Sequence, residues 1–260
     1  MSRVRIIDTI KRSFNLLKKD PIIIVLFIVP AIFPIKSIMG NSLMVLILSG
    51  TLPNIPSTPP IPFVVLFLIV FFLFRVWASA GVILKVTELE KGSKLGLKEA
   101  LSKGLRKVPN LLVPVIAGLA IYLIMVAGLT IAITNYPFIR MAPLVEDVGP
   151  SNIVPRVAVG LLFIIGLYIS IRLYLCAPAC VLENNFGLKT SWKLVKGNWW
   201  RIFVIFLIFA AMSAIIDQAP VVGRFLSDLI VSPLLITVTT LIYFQLREAK
   251  SPGEEHKESL

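Results

Sequence analysis

The sequence predicts an all-α, polytopic membrane fold of six transmembrane helices with three amphipathic helices on the cytoplasmic face. Three observations carry that expectation. Hydrophobic residues make up 57% of the 260 and charged residues only 15%, whereas a soluble domain carries roughly 25% charged residues. The apolar residues gather in runs long enough to cross about 30 Å of hydrocarbon. The net charge of +12 falls in short segments between those runs, and no nucleic-acid-binding signature accompanies it, so a membrane surface is the expected partner and nucleic acid is not.

Residues 2–19 open the chain. Ile6, Ile10, Phe14 and Leu17 share one helical stripe, with Lys11, Arg12, Lys18 and Lys19 around the other side, the pattern of a helix lying in a membrane interface. Asp20-Pro21 breaks it. The apolar run from 21 to about 50 has no small-x-small cleavage site after it, so it reads as a retained first span; longer than the hydrocarbon it crosses, it should tilt, kink at Pro30 and Pro34, or surface near Lys36 and Asn41. Residues 51–62 hold five prolines and no charge, a stiff external loop. The second span covers 63–84, carries Arg75, and includes a small-residue patch at 78–81 where another helix can approach closely.

Residues 85–107 are strongly basic, and Leu97, Leu101, Leu105 and Val108 make an apolar stripe within them. A second interfacial helix is expected, with Lys103, Arg106 and Lys107 toward lipid phosphates. The third span covers 109–134, a polar loop 135–152, and the fourth span 153–176 with Arg172 near its far end. Cys176 and Cys180 lie one helical turn apart and read as two small buried residues, not a disulfide framework or a metal site.

The stretch 183–201 reads ENNFGLKTSWKLVKGNWWR. Leu188, Trp192, Val195 and Trp199 fall on one stripe and Lys189, Lys193 and Lys196 on a second, with Trp200 following. Tryptophan at headgroup depth beside lysines that lean toward phosphate is the third interfacial helix. The fifth span is 200–216, a polar turn follows at 217–224, and the sixth span is 225–246. Residues 251–260 are expected to form a disordered cytoplasmic tail, leaving 1–250 as a single transmembrane domain.

Charge orients this arrangement. With the N-terminus cytoplasmic, 20 of the 26 Lys and Arg lie on the cytoplasmic side, four (Lys36, Arg140, Arg156, Arg224) outside, and Arg75 and Arg172 within spans. That bias places both termini in the cytoplasm of a multi-pass cell-membrane protein. An internal repeat is also expected. SFNLLKKDP at 13–21 aligns without gaps on SWKLVKGNW at 191–199, and the middle basic segment aligns more loosely, at offsets of 88 and 90 residues. Units of about 2–84, 85–176 and 177–247 would each be one interfacial helix and a two-span hairpin, related by an axis along the membrane normal.

Pro178, Glu183, Ser191, Trp192, Leu194, Lys196, Gly197, Trp199 and Arg201 form the pattern P-x4-E followed by SW-x-L-x-KG-x-W-x-R. Over these two dozen residues the chain resembles six-span prokaryotic membrane families of uncharacterised function that include YciC-like proteins and the membrane domain attached to some glycerophosphodiester phosphodiesterases. The resemblance implies a multi-pass membrane protein and carries no activity, since no phosphodiesterase domain is fused here.

Catalysis is not expected. The single histidine, His256, lies in the tail, the adjacent acids Glu146 and Asp147 lie in a loop, and no metal or cofactor set appears. The informative charges are Arg75 and Arg172, because an arginine within a span costs several kcal/mol unless paired or wetted. Glu183 and Asp228 are their candidate partners, with an Arg172–Glu183 pair plausible by depth. Glu183 has a second reading as a cap for the following helix. Two functions follow. The first is a non-enzymatic scaffold or accessory protein that grips anionic lipid; the second is a transporter or flippase for an anionic solute or lipid, with Arg75 and Arg172 lining the route. Small-residue spacing such as Ala210 and Ala214 on the fifth span can serve contacts within the chain or between copies, and a homo-oligomer and a partner protein are both left open.

Overall fold

The computed structural model describes residues 5–32, 61–135, 153–183, 187–219 and 222–249. Every regular element among them is a helix: α1 Ile6–Lys19, α2 Ile22–Val25, α3 Ile28–Ile32, α4 Ile61–Glu90, α5 Leu97–Asn135, α6 Ile153–Tyr174, α7 Cys176–Glu183, α8 Leu188–Val195, α9 Trp199–Asp217, α10 Val222–Leu226 and α11 Ser232–Glu248. A single π-helical turn, Ser227–Val231, joins α10 to α11. Four stretches are long and apolar enough to cross a membrane: Ile69–Glu90, Ile164–Glu183, Trp199–Asp217 and Ser227–Glu248. The protein therefore has the makings of a membrane protein. The first span beyond residue 32, the loops at 51–60 and 136–152, the tail at 251–260, and with them Lys36, Arg140, Glu146, Asp147 and His256, lie outside the described residues.

The chain breaks where its chemistry requires. α1 ends at Asp20, whose backbone leaves the helical region, and Pro21 cannot continue the α1 hydrogen-bond ladder. Asp20 Oδ1 accepts from the Ile22 amide at 3.2 Å, so its side chain starts the next helix. Pro30 has no N–H for the Leu26 carbonyl, and the break between α2 and α3 falls at Leu26–Phe27. The basic stretch at 85–107 departs from expectation. Residues 85–90 continue α4, and the second amphipathic segment is no separate helix, because α5 runs unbroken for 39 residues through Pro109 and Pro114. Pro109 is exposed, so the Leu105 carbonyl it leaves without a donor can be satisfied from outside the fold, and the helix survives. Leu105 is 58% exposed, although its stripe-mates Leu97 and Leu101 pack on the core. Ile61 and Pro62 begin α4 and are not loop.

Helix α1 lies across the ends of two candidate spans. Its Arg12 holds Glu90, at the end of α4, through two hydrogen bonds, and its Thr9 exchanges hydrogen bonds with Gln245 near the end of α11. Thr9, Ser13, Leu16 and Leu17 face the bundle, while Ile7 and Phe14 are exposed. The amphipathic helix thus has one face for protein and another apolar edge left bare. Beneath it Lys85 is 1% exposed, 2.8 Å from Asp20 Oδ2, and donates to the Leu95 carbonyl. One ammonium clasps the end of α1, the body of α4 and the approach to α5.

The main core gathers Phe27, Val82, Val86, Leu234, Val238 and Tyr243, and a smaller cluster holds Ala80, Ile83, Leu111, Cys176 and Cys180. Both cysteines are buried, with their sulfurs 3.6 Å apart. Helices α4 and α5 meet at the small-residue patch: a methyl on Gly104 would lie 3.1 Å from the Gly81 amide nitrogen and 3.4 Å from its Cα. Trp77 Nε1 donates to the Leu101 carbonyl at 2.7 Å beside that crossing. Gly104→Val is expected to destabilise by about 1–3 kcal/mol through overpacking. Gly118→Ala in the same helix, where nothing stands within 4 Å, should leave the midpoint unchanged or raise it. Thermal unfolding of both variants in detergent checks the contrast.

Candidate functional site

Two groups of residues converge: a polar cluster bordering a cavity, and a basic, tryptophan-bearing surface. The cluster starts from the π-helical turn. The extra residue that such a turn inserts lets the chain pass from α10 into α11 with Ser227 and Asp228 both buried, and π-turns of this kind concentrate at functional sites. Asp228 is 3% exposed and its Oδ1 lies 3.1 Å from Arg75 Nη2. Ser232 Oγ accepts from the same nitrogen at 3.1 Å and donates to Asp228 Oδ1 at 3.3 Å. Ser227 shares a 2.6 Å hydrogen bond with Ser213 of α9. Arg75 therefore has the buried partner that an arginine in an apolar helix needs, supplied from 153 residues away.

Arg75 also faces a cavity of about 380 Å³ between α4, α5, α6, α7 and α11, within the range typical of small-molecule sites. Ser79, Ser170, Tyr174 and Thr239 contribute hydroxyls to the lining, and Phe72, Ile83, Leu111, Val115, Leu173 and Ile236 contribute apolar wall. Three of the four candidate spans take part. Among the described residues, both polar contacts of the guanidinium come from Nη2. Its Nε and Nη1 carry three further N–H groups, and the side chain stays 26% exposed.

Arg172 does not pair with Glu183. Its guanidinium is sandwiched between the rings of Tyr168, 4.7 Å away, and Trp192, 4.3 Å away, and it donates to the Tyr168 hydroxyl. Each such cation–π contact is worth about 0.5–2 kcal/mol. Ser191 donates to the Arg172 carbonyl, which fastens α8 to α6. Arg172 Nε and Trp199 Nε1 are buried without a hydrogen-bond partner among the described residues. Glu183 closes α7 instead of capping α8: the N-cap of α8 is Gly187, with no side-chain cap. The Glu183 carboxylate accepts from Tyr243 Oη at 2.6 Å and from Thr190 Oγ1 at 2.9 Å, tying α7, α8 and α11 together. Gly187 has φ +57°, and a methyl there would sit 2.8 Å from the Cys180 amide nitrogen, so only glycine fits between α7 and α8.

The surface group lies where the amphipathic segments leave the bundle. Lys11, Arg12, Lys18, Lys103, Arg106, Lys189, Lys193 and Lys196 are exposed and Lys107 is half-buried. Lys103 donates to Glu99 at 2.7 Å, and that hydrogen bond holds the ammonium above its ordinary pKa, so it stays charged throughout the physiological range. The stripe expected from Leu188 through Trp199 is not continuous. α8 ends at Val195, Gly197 turns the chain with φ +90°, and Trp199 begins α9. Leu194 and Val195 are buried while Trp192 is 46% and Trp200 70% exposed. Trp199 stacks on Phe203 at 5.3 Å and meets Trp200 edge-on at 4.8 Å, so an aromatic cluster marks the junction. Comparison with family models, curated proteins and solved structures finds no match for this chain, so both groups are read from their own geometry.

Sequence reasoning missed Lys85, counted among the surface cations, and the hydroxyls of Ser79, Tyr174 and Thr239; polar side chains recurring on apolar helices were the available signal. Arg75→Met alone strands a buried carboxylate, an error costing about 3–5 kcal/mol. The double variant Arg75→Met with Asp228→Leu is expected to recover most of that loss, as read by thermal or denaturant unfolding in detergent.

Proposed function

We propose that this chain is a six-span, non-enzymatic membrane protein, a scaffold or accessory factor that grips anionic lipid with basic amphipathic segments, its termini cytoplasmic. The observation that carries the reading is the occurrence of exposed apolar side chains beside exposed cations on those segments. Ile7 and Phe14 accompany Lys11 and Lys18, Leu105 accompanies Lys103 and Arg106, and Trp192 and Trp200 accompany Lys189, Lys193 and Lys196. An apolar side chain exposed to water gains nothing; one dipped into the headgroup region beside a lysine gains both burial and attraction to phosphate. The apolar run after Asp20 and the long helix α5 would supply the first and third spans. The threefold repeat, and kinship with the six-span families that the SW-x-L-x-KG-x-W-x-R pattern resembles, belong to the same proposal. A second reading, a transporter or flippase for an anionic solute or lipid, draws its support from the cavity that Arg75 lines.

Each lysine near an anionic leaflet is worth about 1 kcal/mol. Replacing Lys189, Lys193 and Lys196 together with glutamine should therefore lower the preference of the full chain for anionic over zwitterionic lipid by roughly a hundredfold at low salt. Mass spectrometry of lipid retained by protein purified from mixed vesicles checks this. An unchanged ratio would remove the electrostatic part of the reading.

A further inference from the structure

The geometry points to the cavity beside Arg75 as a binding site for a single-chain amphiphilic anion, a phosphate or carboxylate head carrying one alkyl chain. In this site Arg75 is shared between the ligand and Asp228. The inference deepens the second reading above and is independent of the lipid-gripping surface.

Three features select that chemistry. Among the described residues of the cavity lining the only formal charge is the Arg75 guanidinium, and the three N–H groups on Nε and Nη1 are not engaged by Asp228 or Ser232. A planar fork of donors suits phosphate and carboxylate oxygens. Ser79 and Tyr174 bring hydroxyls to the same lining. The rest of the wall is aliphatic or aromatic, including Ile83, Leu111, Val115 and Ile236. A bare inorganic anion gains nothing from such a wall, whereas each methylene moved onto it from water is worth roughly fourfold in affinity. A volume of about 380 Å³ admits a head and one short chain and is too small for a two-chain phospholipid.

Asp228 sets the sign of the test. Its carboxylate holds Arg75 on the side away from the ligand and cancels part of the charge that an anion would feel. A residue that merely braced the bundle would weaken binding when replaced; a competitor for the arginine strengthens it.

The experiment measures octyl phosphate binding to the full chain in phosphatidylcholine nanodiscs, with empty discs as the blank and inorganic phosphate and octanol as competitors. Saturable binding near one per chain is expected, with both competitors at least tenfold weaker. Gly118 lines the cavity and has open space at its Cβ, so Gly118→Leu fills the site without touching the polar cluster and should weaken binding at least tenfold at unchanged thermal stability. Asp228→Asn should tighten binding at least threefold. Glutamine at Lys189, Lys193 and Lys196 should leave it unchanged, separating this site from surface lipid. Octyl phosphate binding that Gly118→Leu leaves intact, that Asp228→Asn weakens or does not alter, or that inorganic phosphate displaces as well as octyl phosphate would overturn the proposal.

Discussion

A charge inside a bundle of apolar helices must find a partner or leave, and this fold depends on that constraint. Stripping a carboxylate or ammonium of water costs several kcal/mol even after relaxation, far more than any one packing contact returns. Lys85 meets Asp20 and the Leu95 carbonyl, Arg75 meets Asp228 and Ser232, and Glu183 meets Tyr243 and Thr190. Each set joins segments distant in sequence. Apolar packing alone tolerates many sliding registers between long smooth helices, so these pairings are what fix one of them. α4 is held at Lys85 and at Arg75, ten residues apart, and can neither rotate nor shift without stranding a charge.

The apolar helices, the break at Asp20-Pro21 and the small-residue crossing were all legible in the sequence, because each rests on local chemistry: hydropathy, a missing N–H, an absent side chain. Gly81 against Gly104 realises the close approach that the patch at 78–81 foretold. What was hidden depended on distance. Lys85 sits in a run of cations and reads as one more surface charge, and only the fold brings Asp20 to it. Pro109 reads as a boundary, yet its exposed position lets α5 pass through. Trp192 shares a stripe with Val195 on paper, but the helix carrying that stripe stops after eight residues, and the ring turns outward onto Arg172. Arg75 and Asp228 were each conspicuous as charges in apolar runs, while the cavity beside them, built by five helices, has no signature in any one of them.

Glycine marks the places where backbone, not side chain, sets the geometry. Gly187 and Gly197 bracket α8, both at positive φ, and allow a helix of eight residues to turn out of α7 and hand over to α9. With Ser191 fastened to the Arg172 carbonyl and Thr190 to Glu183, the segment is pinned at its middle to α6 and α7. Lys189 and Lys193 are therefore presented by a pinned short helix rather than a loose loop, and a surface preorganised in this way loses less conformational entropy on meeting a partner.

The buried cations differ in a way that bears on function. Lys85 is closed: a compact ammonium, 1% exposed, with a carboxylate and a carbonyl around it. Arg172 is enclosed by two aromatic faces, a setting that satisfies charge without a counter-ion. Arg75 alone among the three combines a buried carboxylate partner with a place on the lining of a cavity. Structure alone would have been served by an arrangement like that of Lys85, since every unspent donor beside an apolar wall is an unmet demand for hydrogen bonding. A guanidinium left partly unspent at the edge of a cavity is the arrangement a ligand site requires, and the fold holds it there with a carboxylate that can hold the arginine in place when the cavity is empty.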